Sequence, residues 1–180
     1  MPARTTSCSA AIVSSAAGVS RGLPNYAFGS KRELYRLVVE RALTVRQALI
    51  ARFAAGLADD AERALTDFVG AYVDYLAAHP AYVLLLQRAA VDGDSQFGAG
   101  KANASAIDAG LAAVEELFRA TGAKDLDVRQ FMVSVVALCF FPFAHEGTLL
   151  RPLGLDPHDP GFLRQRKAHV VALLLPALSP

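Results

Sequence analysis

Residues 16–39 read AAGVSRGLPNYAFGSKRELYRLVV, a polar, turn-rich segment that leads into an apolar stripe. Gly18 suits the left-handed residue that ends a helix, and Ser20 is placed to cap the next helix. We therefore expect two short helices, over residues 9–17 and 21–28. Helix, tight glycine turn and helix is the helix-turn-helix layout, whose second helix can enter the major groove of DNA. Many helical hairpins share this spacing, so the pattern alone does not distinguish a DNA-binding unit from an ordinary helical hairpin.

A long helix is predicted directly after this segment, over residues 31–53. Apolar residues recur at positions 34, 37, 38, 45, 49 and 53, and no glycine or proline interrupts them. Ser30 and Glu33 have the spacing of a capping box, in which each side chain satisfies a free N–H group of the first turn.

The rest of the chain is also predicted to be helical, over residues 59–79, 80–91, 105–121, 125–145 and 160–175. Asp159 followed by Pro160 is a strong start signal for the last of these helices. Glycines favour a loop over residues 92–105, and prolines favour a stiff turn over residues 151–161. No segment alternates apolar and polar residues over the length of a strand, so we expect an all-α fold.

The composition, 53% hydrophobic and 19% charged, is that of a folded chain with a large core. The longest nearly uncharged run, residues 131–144, is shorter than the roughly 20 residues that cross a bilayer. It predicts a buried core or interface helix and no membrane partner. The first residues include no apolar block of secretory length. Cys8 and Cys139 form neither a disulfide framework nor a metal motif, so we expect a reducing cytoplasm.

Charge is distributed unevenly along the chain. Residues 1–53 contain eight Lys or Arg and two Glu, a net charge of +6, and the remainder has a net charge of −5. A basic front and an acidic body indicate different partners for the two parts. A polyanion site and a solvated arginine-rich helix face are both compatible with this charge.

Residues 16–39 resemble the DNA-binding signature of the TetR family of bacterial transcriptional regulators. In that family an AGVS turn leads into a short recognition helix, and FGSK leads into the long connecting helix. Both tetrapeptides stand in this register here, at residues 17–20 and 28–31. The resemblance implies a helix-turn-helix region with its connecting helix at residues 1–53 and a helical ligand-binding and dimerisation domain at residues 54–180.

The resemblance also implies which residues contact double-stranded operator DNA. Arginine can bind guanine, asparagine can pair with adenine, and tyrosine can reach a phosphate or a thymine methyl group. A lysine at a helix N-terminus adds its charge to that of the helix dipole. The alternative is that Tyr26 and Phe28 are core aromatics and that Arg21 is solvated. The expected DNA-binding residues are Ser20, Arg21, Asn25, Tyr26 and Lys31.

Two features depart from the family pattern. Pro24 lies inside the expected recognition helix, so that helix must be short or begin late. Family members also place an amphipathic helix of about twenty residues before the helix-turn-helix, and residues 1–13 lack its apolar stripe. We therefore expect an incomplete DNA-binding unit.

Two of the predicted helices, over residues 125–145 and 160–175, are apolar on nearly every side. A helix that is hydrophobic all round must be buried on all sides. In this family the last two helices form a four-helix bundle with those of a second subunit, so the resemblance implies a homodimer. A larger core within one chain is the alternative. The expected interface residues are Phe140, Phe143, Leu163, Val170 and Leu174.

The family also implies a pocket for a small apolar effector between the body helices. Aromatic walls with a few hydroxyl groups are usual in such sites, although ordinary core packing would use the same residues. The effector would favour a conformation that no longer fits the operator. The expected ligand-binding residues are Phe68, Tyr72, Tyr75, Tyr82 and Leu86.

An enzyme is not expected. The four histidines lack metal-site spacing, and no P-loop, G-x-S-x-G or dinucleotide-binding motif is present. We expect no catalytic residue, metal or cofactor. Two hypotheses remain: a dimeric, ligand-responsive repressor, and a dimeric helical ligand-binding or interaction protein with a non-functional DNA-binding unit.

Overall fold

The computed structural model describes residues 14–20, 23–92 and 101–179, and at positions 24, 25, 31, 32, 35, 36, 39, 92, 101 and 102 it describes the backbone alone. These residues form helices and turns and include no strand, so the predicted all-α class is confirmed. The helices are α1 (Leu23–Phe28), α2 (Lys31–Gly56), α3 (Ala61–Ala78), α4 (Pro80–Asp92), α5 (Lys101–Thr121), α6 (Val128–Ala144) and α7 (Pro160–Leu174). A π-helical turn at Glu146–Leu150 and 3₁₀ turns at Arg151–Leu153 and Leu175–Leu178 complete the described part.

The chain divides into two compact units, Met1–Arg41 and Ala42–Pro180. The predicted domains place their boundary at residue 53, near the end of the connecting helix, and that division stays a prediction.

The glycine turn of the first unit has the predicted geometry. Residues 14–16 are helical, and Gly18 has a φ of +66°. The N–H of Val19 donates to the carbonyl of Ser14 over 2.9 Å, and the N–H of Gly18 donates to that of Ser15 over 3.2 Å. These two bonds form a Schellman motif, so the prediction that Gly18 ends a helix is confirmed. Residues 9–13 of that predicted helix lie outside the described residues.

The long helix α2 starts where its cap predicts. The N–H of Glu33 donates to Ser30 Oγ over 3.1 Å, which is the serine half of the expected capping box. The helix then continues without a break to Gly56, three residues beyond the predicted end.

In the second unit, α3 and α6 are the central helices. Each of them packs against α4, α5 and α7, and they also pack against each other. On α3, Leu65, Val69, Val73 and Leu76 are almost completely buried. Their spacing of three or four residues places them on one helical face, as the sequence predicted.

Capping residues also fix the starts of α3, α6 and α7. Asp60, Asp127 and Asp159 each accept a hydrogen bond from the N–H three residues ahead, over 2.8–2.9 Å. The prediction for Asp159 and Pro160 is confirmed. The predicted start of α6 at residue 125 is wrong, because Asp125 has a φ of +63° and Asp127 provides the cap instead.

A second correction concerns the start of α5. The structure begins this helix at Lys101, four residues before the predicted start at residue 105. The glycine-rich composition led the prediction to extend the loop too far, whereas KANA contains no helix breaker.

None of the helices in the described part of the chain is both long and apolar enough to cross a membrane alone. Two sharply bent pairs, α3 with α4 and α6 with the segment after it, would meet the requirement by length and composition.

Candidate functional site

A cavity of about 170 Å³ lies within the second unit, among α2, α3, α5 and α6. Its walls are almost entirely apolar. Two of its wall residues, Ile107 on α5 and Val136 on α6, are themselves 38% and 44% exposed. The other principal wall residues are Leu49, Phe53, Leu65, Phe68, Phe131 and Val135.

Arg46 is the charged residue of this cavity wall. It occupies α2 one turn before Leu49 and Ile50, on the same helical face. Its Nη2 donates to Asn103 Oδ1 over 2.5 Å and lies 3.5 Å from the Asn103 carbonyl oxygen. Its Nε is buried, with no hydrogen-bond partner in the described part of the chain. The side chain therefore brings an incompletely satisfied cation into an apolar site.

Tyr72 on α3 also lines the cavity and is only 6% exposed. Burial raises the pKa of its hydroxyl, and the charge of Arg46 opposes that rise. Burial likewise raises the pKa of Tyr82, again against the effect of Arg46. Both hydroxyls therefore lie within electrostatic reach of the guanidinium group.

The cavity includes two of the five ligand-binding residues that the sequence predicted. Phe68 and Tyr72 line it, and their rings are 5.9 Å apart. Tyr75 instead packs its ring against His79 and Tyr82, at 4.2 and 5.2 Å between ring centroids. Tyr82 and Leu86 belong to α4, which does not contribute to this wall. A role for any of the five in ligand binding stays a prediction.

Sequence reasoning missed Arg46 and the wall residues of α5 and α6. The signal for Arg46 was available, because a cation interrupts a stripe formed by Ala42, Leu49 and Phe53 on one face of α2. The residues on α6, Phe131 and Val135, had no comparable signal, since nearly every residue of that helix is apolar.

The predicted DNA-binding residues fall in the first unit. Tyr26 on α1 is 89% exposed among the described residues, and its role stays a prediction. Ser20 is exposed and precedes α1, and its carbonyl accepts from the N–H of Leu23 over 3.0 Å. The backbones of Asn25 and Lys31 lie in α1 and at the start of α2. Arg21 lies outside the described residues.

The predicted interface residues lie on the two expected helices, α6 and α7, with different exposure. Phe143, Val170 and Leu174 are buried in the core of a single chain, whereas Phe140 and Leu163 are half-buried. The predicted burial of α6 on all sides does not hold in one chain, because Val133 and Phe141 are 57% and 46% exposed. Leu173 on α7 is 50% exposed. These side chains are among the exposed apolar residues of α6 and α7 that a partner could cover.

The described residues thus define an all-α protein whose helical body surrounds a mostly apolar cavity with one cation in its wall. Comparison with known families identifies this body. The family described as "Tetracyclin repressor-like, C-terminal domain" matches residues 62–174, more than half of the chain. The chain belongs to the TetR family and is a regulator of that general kind. Among curated proteins, none matches it.

Proposed function

We propose that the protein is a ligand-responsive transcriptional repressor, which binds operator DNA as a homodimer and is released by a small apolar effector. The observation that carries this proposal is the course of α2. Its first residue, Lys31, is separated by two residues from the end of the predicted recognition helix, and its last four turns supply Arg46, Leu49, Ile50 and Phe53 to the cavity wall.

A ligand in the cavity would act on the DNA-binding segment through this helix. A bound molecule contacts side chains over two turns of α2, and a helix transmits a small rotation or shift along its length because its backbone is hydrogen-bonded throughout. The effector needs only to bind one orientation of α2 better than another for the population to shift. In this proposal one helix, α2, takes part in both DNA binding and ligand binding.

The surface of the first unit supports DNA as the partner. Tyr26 is almost fully exposed on α1, so its ring and hydroxyl are free to contact a phosphate or a thymine methyl group. Lys31 carries a positive charge on the first residue of a capped helix, where the free N–H groups and the helix dipole already favour a phosphate. The net charge of +6 on residues 1–53 adds a long-range attraction to DNA.

A gel-shift titration tests the proposal. The full-length protein is titrated into the intergenic DNA beside its own gene and into random duplex DNA of equal length, over a series of salt concentrations. We expect tighter binding to the intergenic DNA and weakening of both complexes as salt rises. Absence of binding to either DNA at low salt would overturn the proposal. If the protein still formed dimers and bound ligands, the result would favour the other hypothesis, a dimeric ligand-binding or interaction protein with a non-functional DNA-binding unit.

Two substitutions separate the assigned roles in the same assay. Lys31→Ala should weaken both complexes alike and reduce the salt slope by about 1, because one phosphate contact is lost. Asn25→Ala should reduce the preference for the intergenic DNA, since a base contact distinguishes sequences. Lys124→Ala, which removes an exposed lysine from the second unit, is the matched control and should change neither property. Equal effects of Lys31→Ala and Asn25→Ala on both DNAs would refute the roles.

A further inference from the structure

We propose that the cavity ligand is a small apolar carboxylate, with its carboxylate bound by Arg46 and its apolar part held by the walls of α3, α5 and α6. This inference rests on the proposed function, because it names the chemical class of the effector. It follows from the charge, the hydrogen bonding and the size of the cavity.

The first observation is the unsatisfied donor. Arg46 Nη2 is engaged by Asn103, and the buried Nε has no partner in the described part of the chain. A buried donor of a charged group without an acceptor is costly, and buried polar groups nearly always have one. An oxygen of a bound ligand would satisfy Nε.

The second observation is the uncompensated charge. Among the described residues, the cavity wall includes no aspartate or glutamate, and none of the ion pairs found there involves Arg46. Asn103 supplies a neutral acceptor only. A cation in an apolar site attracts an anion strongly, because the surroundings screen the interaction less than water does. The ligand is therefore expected to carry the negative charge that the protein lacks here.

The third observation is size. An apolar protein cavity of about 150 Å³ holds one benzene molecule, and the cavity here has about 170 Å³. Its wall beyond Arg46 and Tyr72 consists of aliphatic and aromatic carbons together with Gly110 and Met132. A single ring or a short alkyl chain fits this volume. Arginine binds carboxylates with strong, charge-assisted hydrogen bonds, so a benzoate-sized acid combines both requirements.

Calorimetric titration with matched probes tests the proposal. The probes are benzoate and its neutral isostere benzamide, with hexanoate and hexanamide as an alkyl pair. For the native protein we expect at least one acid to bind roughly 10- to 100-fold more tightly than its amide, the range for a hydrogen bond to a charged group. Equal affinity within both pairs, or no binding of any probe, would overturn the proposal.

Variants of Arg46 assign the preference to this residue. Arg46→Met retains the apolar stem and should abolish the preference for the acid, whereas Arg46→Lys retains the charge and should keep part of it. Arg52→Met, on the same helix at an exposed position, is the matched control and should bind as the native protein does. Circular dichroism checks that each variant folds. If Arg46→Met does not fold, the Arg46→Lys variant and the acid–amide comparison on the native protein still test whether the cavity prefers a carboxylate.

Measurement of DNA binding in parallel separates this inference from the proposed function. Binding of an acid through Arg46 without any effect on the DNA complex would contradict the effector mechanism and leave the carboxylate site standing. Specific DNA binding together with equal affinity for acids and amides would contradict the carboxylate site alone.

Discussion

The guanidinium group of Arg166 on α7 donates two hydrogen bonds to the carbonyl oxygen of Leu138 on α6, over 3.1 Å from Nε and 2.5 Å from Nη2. Pro142 lies four residues after Leu138, inside the helix. Proline has no N–H, so the Leu138 carbonyl lacks its intrahelical partner. Arg166 supplies donors in place of that partner and thereby links α7 to α6 where the proline interrupts the hydrogen bonding of the helix.

Replacing this arginine should destabilise the fold. Arg166→Met removes both bonds and leaves a partly buried carbonyl without a donor, so we expect a loss of roughly 1–3 kcal/mol in the free energy of unfolding. Urea denaturation followed by circular dichroism measures this. Arg164→Met, at an exposed position on the same helix, is the control and should stay within about 0.5 kcal/mol of the native protein.

A double-mutant cycle isolates the role of the proline. In a Pro142→Ala background, residue 142 again has an N–H that can bond to Leu138. Arg166→Met should then cost less than it does in the native background, with a coupling of about 0.5–3 kcal/mol. The same cost in both backgrounds would show that Arg166 acts through something other than the missing bond.

Local signals in the sequence predicted most of the helical architecture. Capping residues such as Ser30 and Asp159, and the break at His79 and Pro80, act within a few residues and are therefore readable from one chain. Asp125 misled the prediction because aspartate suits both a cap and the left-handed conformation that it adopts here. Only the backbone geometry distinguishes the two uses.

The cavity was less predictable, because it depends on how four helices pack. Phe68, Tyr72 and Tyr75 share one stripe of α3, yet the cavity ends before Tyr75, whose ring stacks with that of His79. The periodicity of apolar residues identifies the buried face of a helix, but it does not identify which other helix packs against that face. Arg46 is the exception, since its interruption of an apolar stripe marks an unusual environment before any packing is known.

Two helical glycines in the second unit should respond differently to alanine. In α3, a Cβ at Gly70 would meet no described atom within 4 Å, so Gly70→Ala should stabilise the protein by about 0.5–1 kcal/mol through helix propensity. In α5, a Cβ at Gly110 would lie 3.3 Å from Met132 Sδ, at the cavity wall. Gly110→Ala should therefore stabilise the protein less than Gly70→Ala does. Thermal melts of both variants measure the difference, and an equal gain would contradict the tight contact.

The proposed homodimer makes a prediction about exposed apolar residues. Leu173→Glu places a charge on α7 at a half-exposed position of the proposed interface, and we expect it to convert dimers to monomers in sedimentation experiments while helicity is retained. Val91→Glu, at an 84% exposed position on α4, is the matched control and should leave the dimer intact. Dissociation by Val91→Glu and not by Leu173→Glu would place the interface elsewhere.

Cys139 on α6 should make stability depend on alkaline pH. Burial raises the pKa of its thiol from 9.0 to about 12, although Arg166 acts in the opposite direction. Between these pH values the folded state keeps a proton that the unfolded state releases, so the free energy of unfolding falls as pH rises, by at most about 1.4 kcal/mol per pH unit from this group.

Cys139→Ala removes this contribution, and its unfolding free energy, measured in urea from pH 8 to 11, should decline less steeply. Val135→Ala shortens another buried side chain on the same helix without removing a titrating group, so its curve should run parallel to that of the native protein. Parallel curves for all three proteins would mean that the Cys139 thiol ionises as readily in the folded state as in the unfolded state.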